Sequence, residues 1–468
     1  MEKFICTYDN DETKYVQICN HIKNLIKNDE LEDGEKLPTI RSLSDFLGVN
    51  KITIINAYKK LEQEGYAVSK MGSGTFAKKR DFNISFKRKY SEIFKTYSKE
   101  QLSKYIDFTG EVVKGDNFPV DVFKKVLNEV IDRDGAEAFI HQESLGYDGL
   151  RKSISNNFWH KSISIDNILI VSGAQQGIDI VSKALIDVND NVIVEKPTYI
   201  GALSVFKWRR ANILEVDIMK DGIDINQLEE ILKKTKIKCF YVMSYFQNPT
   251  GISYSEEKKK RILELAQQYD FYIIEDDYLS ELIYNEKLKY KSFKALDHND
   301  RVIYIKSFSK IFLPGIRLGY LIPPKEFKES IISSKVNTDI STSSLMQRAL
   351  GYYIDEGLWI EYIEKLNCSN KKKYRLLVEL INSKLGDYVQ CNYPEGGLHI
   401  YFTLKSEGMD SVQLFYKCKK KGVLITPGVL FFKNSKDGLK SFRINFSEVT
   451  LENIEKGIEV IENVLKHS

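Results

Sequence analysis

Short apolar runs that recur between helix-compatible stretches constrain this chain more than any other feature. The runs ILIV (168–171), VIVE (192–195), FYVM (240–243), YIIE (272–275) and VIYI (302–305) are each strand-sized. Strands alternating with helices imply a largely parallel sheet covered by helices on both faces, an α/β class. In such a sheet ligands gather at the C-terminal ends of the strands. The residues that follow each run therefore form one candidate site.

At 468 residues the chain exceeds what one core accommodates, so a small module plus a domain of about 300 or more residues is expected. Its 69 basic and 65 acidic side chains leave a net charge of only +4, and any nucleic-acid surface must come from local placement. Cys6, Cys19, Cys239, Cys368, Cys391 and Cys418 are scattered without metal-ligand spacing. No metal site or disulfide framework is expected, and a reducing compartment fits. The N-terminus lacks a basic-then-apolar leader and no run is long enough to span a membrane, so a cytoplasmic protein with no membrane partner is expected.

After the first run, Ser172-Gly173-Ala174-Gln175-Gln176-Gly177 makes a small-residue turn opening a helix, whose free N–H groups suit a phosphate dianion. After the second comes Tyr199, an aromatic candidate for stacking on a ring. Asn248-Pro249-Thr250-Gly251 follows the third run and supplies an amide donor. Glu275-Asp276-Asp277-Tyr278 ends the fourth with carboxylates and a phenol. After the fifth, SFSKIFLPGIRLGY provides Ser307, Ser309, Lys310 and Arg317. Hydroxyls and a guanidinium add charge-assisted bonds to phosphate, and an amine condenses with an aldehyde. His141 and His399 are read as structural.

The N-terminal eighty residues follow another pattern. From Tyr15 to Ile26, Val16, Ile18, Cys19, Ile22, Leu25 and Ile26 keep helical spacing. LPTIRSLSDFLGVNKITIINAYKKLEQEGY then reads as two helices about a tight turn, with Thr39 or Ser42 capping the first, Gly48 closing it and Asn50 capping the second. On the second helix Ile54, Ala57, Tyr58 and Leu61 share a face, while Lys51, Thr53, Asn56 and Lys59 point elsewhere and suit a major groove. YAVSKMGSGTFA alternates about Gly72-Ser73-Gly74 as a two-stranded wing does. Between Asn50 and Arg80, seven basic residues stand against Glu62 and Glu64, a locally basic surface. Residues 79–104 carry many Lys and Arg and no Pro or Gly, and are read as a basic, extended connector.

Leu37, Pro38, Thr39, Arg41, Leu43, Ala57, Tyr58, Leu61, Glu64 and Gly65 match the pattern of the GntR family of winged-helix regulators, which this segment resembles. The resemblance implies DNA contacts from Arg41, Lys51, Thr53 and Gly74; Asn56 and Lys59 are added from their exposed face, and Asn50 as the cap that opens the same helix. Lys51 stands where many relatives carry Arg, and a point-like ammonium does not reproduce a guanidinium fork.

From about Asp107 onward, the turns resemble in order and spacing the fold-type I enzymes of the aminotransferase class I/II superfamily, with Ser-x-Ser-Lys and an Arg seven residues after the lysine. That resemblance implies pyridoxal 5'-phosphate (PLP) as cofactor, joined to Lys310 as an aldimine. It implies Asp276 at the pyridine nitrogen, Asn248 and Tyr278 at O3', and Ala174, Gln175, Ser307, Ser309 and Arg317 around the phosphate. Arg443 in FRINFSEV matches the family arginine that pairs with a substrate α-carboxylate.

The two halves together resemble the MocR subfamily of regulators. Residues 1–78 are assigned to the winged helix-turn-helix and 79–105 to the linker. Residues 106–468 are assigned to the transferase-like domain, with a large part at about 151–344 and a small α+β part at about 106–150 and 345–468. The resemblance implies a double-stranded DNA operator, a small amino compound as effector and a head-to-tail homodimer. It suggests a transcription regulator that senses PLP or its aldimine with an amino compound. The alternative is an active aminotransferase, amino donor to 2-oxo acid, that carries a DNA-binding module.

Overall fold

A computed structural model describes residues 1–6, 12–27, 30–32, 34–64, 66–70, 74–78, 82–110, 118–140, 143–285, 288–309 and 314–467. Lys310 lies outside the described residues, as do Gly72, Ser73 and His141. Two compact units, Met1–Lys95 and Thr96–Ser468, divide the chain.

The first unit packs helices Lys14–Lys27, Ile40–Leu47 and Lys51–Gln63 with a hairpin of Ala67–Lys70 and Gly74–Ala77, in which Lys70 pairs with Gly74. Its core joins Ile18, Ile22 and Ile26 to Leu43, Ile54, Ala57 and Leu61, the residues the helical spacing singles out. Thr39 Oγ1 accepts from Ser42 N at 3.1 Å and Asn50 Oδ1 from Ile52 N at 3.0 Å, so each helix starts at its own cap. Gly48 closes the first helix in the left-handed region at φ 63°. The connector is not extended. Phe82–Thr96 is helical, because Phe86, Tyr90 and Ile93 keep an i, i+4, i+7 spacing inside the charged run, and all three are buried.

The second unit is built on an eight-stranded sheet. Its order is Leu169–Val171, Gly319–Ile322, Val302–Ser307, Tyr272–Asp277, Cys239–Val242, Asn191–Lys196, Asn212–Met219 and Gly222–Ile223. Five neighbouring strands, from Val302–Ser307 to Asn212–Met219, run parallel, whereas Gly319–Ile322 is antiparallel to both its neighbours. All five apolar runs became strands. Asn212–Met219 and Gly319–Ile322 were not anticipated, the first because NILEVDIM mixes charge into its alternation and the second because it follows the Arg317 motif so closely.

Successive residues face opposite ways, and the two faces are separately packed. Val192, Val194, Tyr241, Ile274, Ile303 and Ile305 meet the helices Ala174–Leu185 and Ile200–Trp208. Ile193, Phe240, Val242, Ile273 and Val302 meet Ile225–Lys234 and Glu256–Gln268. A smaller antiparallel sheet of Val389–Cys391, His399–Leu404, Ser441–Asn445 and Thr426–Pro427 follows in the C-terminal part. A parallel pair, Ile106–Asp107 with Val423–Leu424, ties the start of this unit to that part.

The helix Ala174–Leu185 lies close on the sheet because Gly177 has no side chain: a Cβ there would stand 2.9 Å from Ile305 Cγ2. Overpacking at such a contact costs about 1–3 kcal/mol. Gly177→Val is therefore expected to lower the thermal-unfolding midpoint, and an unchanged midpoint would contradict this packing.

Candidate functional site

The sheet's C-terminal edge gathers most of the nominated residues. Gly173, at φ 97°, precedes the helix Ala174–Leu185 without a side-chain cap, so the first-turn N–H groups are left for another acceptor. A Cβ on Gly173 would lie 3.3 Å from Arg317 Nη2 and 3.6 Å from Ser309 Oγ, so guanidinium and hydroxyl converge on this helix start. Arg317 Nη2 donates to Ser172 O at 2.9 Å, and Ser309 N donates to Ser307 Oγ at 3.2 Å. Ser309 Oγ itself is buried without a hydrogen-bond partner. Four features thus fit a bound phosphate: a helix N-terminus, a guanidinium, an orphaned hydroxyl and small residues that admit close approach. The Gln175 side chain turns away, accepting from Tyr199 Oη at 3.2 Å and donating to Gly201 O.

Asp276 points to the same sheet face as Tyr241, whose hydroxyl donates to Asp276 Oδ2 at 2.6 Å. The other oxygen, Oδ1, is buried without a partner. Burial pushes the Asp276 carboxyl up to about 7, against the opposing bond from Tyr241, with Asp277 adding to the rise. An N–H on a bound ring would complete it. Its neighbours Glu275 and Asp277 face the other way and are satisfied. Glu275 accepts from Ser244 Oγ, Phe293 N and Lys294 N. Asp277 accepts from Tyr304 and Tyr290 and pairs with Lys306 at 3.1 Å.

Tyr278 donates to Phe246 O at 2.9 Å, and its hydroxyl lies 3.3 Å from His399 Nε2. Asn248 Oδ1 accepts from Arg443 Nη1 at 2.7 Å, and Arg443 Nη2 donates to Thr109 O at 2.7 Å and to Thr426 Oγ1 at 3.3 Å. Arg443 Nε is buried without a partner. The turn carrying Asn248 is held by Gln247, which donates to Glu195 Oε2 and Pro197 O and accepts from Thr250. Glu195, also bonded by Tyr254, is pushed by burial up to about 8.

In the first unit Arg41, Asn50, Lys51, Asn56, Lys59 and Gly74 are exposed and Thr53 is half-buried. Ile52, an apolar residue, is also exposed on the same first helical turn as Lys51 and Thr53.

The family model for aminotransferase class I and II matches residues 104–461. The chain belongs to this family. A second model, bacterial regulatory proteins of the gntR family, matches residues 14–77, so this family member is fused to a GntR-type helix-turn-helix domain. Aromatic-amino-acid aminotransferase 1 of Thermococcus litoralis is 31% identical over 388 residues, covering 81% of this chain and 92% of that one. The uncharacterized HTH-type transcriptional regulator YdfD of Bacillus subtilis is 28% identical over 474 residues and matches both units, covering 97% and 96% of the two chains. Among solved structures, Pyrococcus horikoshii kynurenine aminotransferase, in complex with PMP and with KYN as substrates and KYA as products, superposes with TM-score 0.76 at 30% identity. It covers 82% of this chain and 94% of that one.

The sequence of this aminotransferase-family unit did not reveal Tyr241, Gln247, Glu195 or His399 as neighbours of the site. Tyr241 sits inside an apolar run, where period-two alternation with Ile274 and Asp276 on the next strand is the only signal of its direction. His399 meets Tyr278 at 3.3 Å, a contact that no spacing in the sequence signals.

Because burial raises the Asp276 pKa, the ligand-free native state keeps a proton that the unfolded chain has released between pH 3.8 and about 7. Stability therefore falls as pH climbs through that window. Asp276→Asn, which keeps an acceptor for Tyr241 but carries no charge, is expected to be the more stable protein at alkaline pH by an amount on the order of a few kcal/mol. The gap should close toward pH 3.8. Parallel pH profiles of the two unfolding midpoints would contradict it.

Proposed function

We propose that the protein is a transcription regulator whose GntR-type domain reads a double-stranded DNA operator, and whose aminotransferase-like domain binds PLP and a small amino compound. One observation carries the reading: a chain with a basic helix-turn-helix also holds a site whose Asp276 Oδ1 and Ser309 Oγ are buried without partners. These are the acceptor and donor that a pyridinium and a phosphate require. PLP supplies an aldehyde and an electron-withdrawing ring.

In this reading Asp276 holds the proton of the ring nitrogen, and Tyr241 fixes that carboxylate's orientation through its 2.6 Å bond. Ser307, Ser309, Arg317 and the backbone of Ala174 and Gln175 bind the phosphate. Tyr199 covers a ring face, and Asn248 and Tyr278 address O3'. Lys310 supplies the condensing amine. Arg443 anchors a carboxylate of the amino compound. Arg41, Asn50, Lys51, Thr53, Asn56, Lys59 and Gly74 contact the operator, with phosphate contacts giving salt-dependent affinity. A cytosolic, head-to-tail homodimer completes the proposal. A ligand alters operator affinity only by binding two conformations unequally.

A second reading, an active aminotransferase carrying a DNA-binding module, is favoured by one observation: Asn248 and Arg443 stand together at 2.7 Å, an amide and a guanidinium of the kind an amino-acid substrate would meet. Steady conversion of amino donors to 2-oxo acids by the purified protein would decide for it.

Full-length protein supplied with PLP is expected to gain visible absorbance that borohydride fixes and that Lys310→Ala abolishes. A protein that stays colourless overturns the cofactor assignment. In gel-shift titration, operator affinity is expected to change about 5-fold or more on adding PLP with a carboxylate-bearing amine. Arg443→Ala should lose the amine's part of that response while keeping absorbance. Lys51→Ala should weaken operator binding by about 1–3 kcal/mol whether or not ligand is present.

A further inference from the structure

His399 takes no part in the assignments above, yet the fold aims it at the site. It opens the strand His399–Leu404, where His399 pairs with Asn445 and Tyr401 with Arg443. Alternate residues share a face, so His399 and Arg443 project from the same side of this small sheet. The approach of the strand is fixed by Gly397, at φ 81°, where a Cβ would stand 2.8 Å from Phe246 Cβ. The carbonyl of that same Phe246 receives the Tyr278 proton at 2.9 Å. His399 is 3% exposed, its ring is inclined 17° to that of Tyr278, and its Nε2 lies 3.3 Å from Tyr278 Oη.

A phenol has one proton to give. The Phe246 carbonyl is an acceptor alone and takes that proton at the shorter distance, so the contact with His399 is made by Nε2–H donating to Oη. We propose that His399 is a positioning residue that acts through Tyr278. By donating to the phenolic oxygen it makes the Tyr278 O–H a stronger donor, whose one proton rests on the Phe246 carbonyl in this structure and would turn from it to an anionic oxygen brought to the hydroxyl. That oxygen is the O3' phenolate of PLP, so the inference rests on the cofactor reading above. Arg443, Asp276, Tyr199 and Glu195 also act on Tyr278 electrostatically, Arg443 favouring the phenolate and the other three opposing it. Among these groups, His399 stands out in donating to the hydroxyl oxygen itself.

The test is a pH titration of visible absorbance in the PLP-loaded full-length protein. His399→Phe, which cannot donate, is expected to raise the titration midpoint by less than the loss of the Tyr278 bond itself, worth roughly one unit. His399→Gln, whose amide N–H reaches in a similar direction, should recover part of the shift. Tyr278→Phe should raise the midpoint by itself, and adding His399→Phe to it should change nothing further. A structural histidine would lower the unfolding midpoint in both variants without moving the absorbance titration. Identical titrations of wild type and His399→Phe, or additive shifts in the double variant, overturn the inference. Absence of absorbance in the wild type overturns the cofactor reading instead, a different and separately visible failure.

Discussion

Three consecutive carboxylates, Glu275, Asp276 and Asp277, are buried at the end of one parallel strand, and much of the second unit is arranged to make that tolerable. A buried charge without partners costs several kcal/mol. Strand geometry divides the problem by sending Asp276 to one face and its neighbours to the other. On the far face Asp277 is held ionised, against the cost of burial, by Lys306 and by the hydroxyls of Tyr290 and Tyr304. Lys306 also pairs with Glu281 at 2.6 Å. Glu275 is pushed up by burial and takes two backbone N–H groups at the start of Phe293–Leu296. Of these three, Asp276 alone keeps an oxygen without a partner. In a protein that pairs the acids on either side so fully, an orphaned carboxylate oxygen is best explained by a ligand.

The opposite end of the candidate site follows from backbone rather than charge. Gly173 and Gly319 let two strands and a helix start crowd together: a Cβ on Gly319 would stand 2.5 Å from Lys306 O and 3.2 Å from Gly173 Cα. That closeness brings Arg317 and Ser309 to the same helix N-terminus. Pairing a dipole end with a guanidinium and a hydroxyl suits a dianion better than any one of them does.

What was legible in the sequence tracks how local the cause is. Caps at Thr39 and Asn50, the left-handed Gly48 and the five apolar runs depend on neighbouring residues, and each could be read along the chain. The connector helix escaped because its apolar residues are diluted in a dense charge run, which reads as solvated tether. The choice of Asp276 over its acidic neighbours rested on family resemblance, since strand phase cannot be fixed until the sheet partner is known. Tyr241 and Gln247 become visible only when the third run lies beside the fourth and second. His399 needed a still longer link, across 121 positions to Tyr278, and no spacing rule carries that far.

Arg443 presents the same argument as Asp276 with the opposite sign. Arg443 is 7% exposed, and its guanidinium is held by an amide oxygen, a backbone carbonyl and a hydroxyl, with the Phe431 ring 5.2 Å away. Among the described residues no carboxylate pairs with it. Neutral acceptors orient a buried guanidinium but do not neutralise it. A carboxylate entering from a ligand would recover that charge energy, and to take Nη1 it must compete with Asn248 Oδ1. On the proposed reading, in which the Asn248 amide addresses the ring oxygen, occupancy of the carboxylate position would be felt at that amide, and one side chain would link the two halves of a ligand. Such a linkage would serve the proposed sensor as well as a catalyst, because both would need a ligand that satisfies Arg443 and the Asn248–Tyr278 edge together.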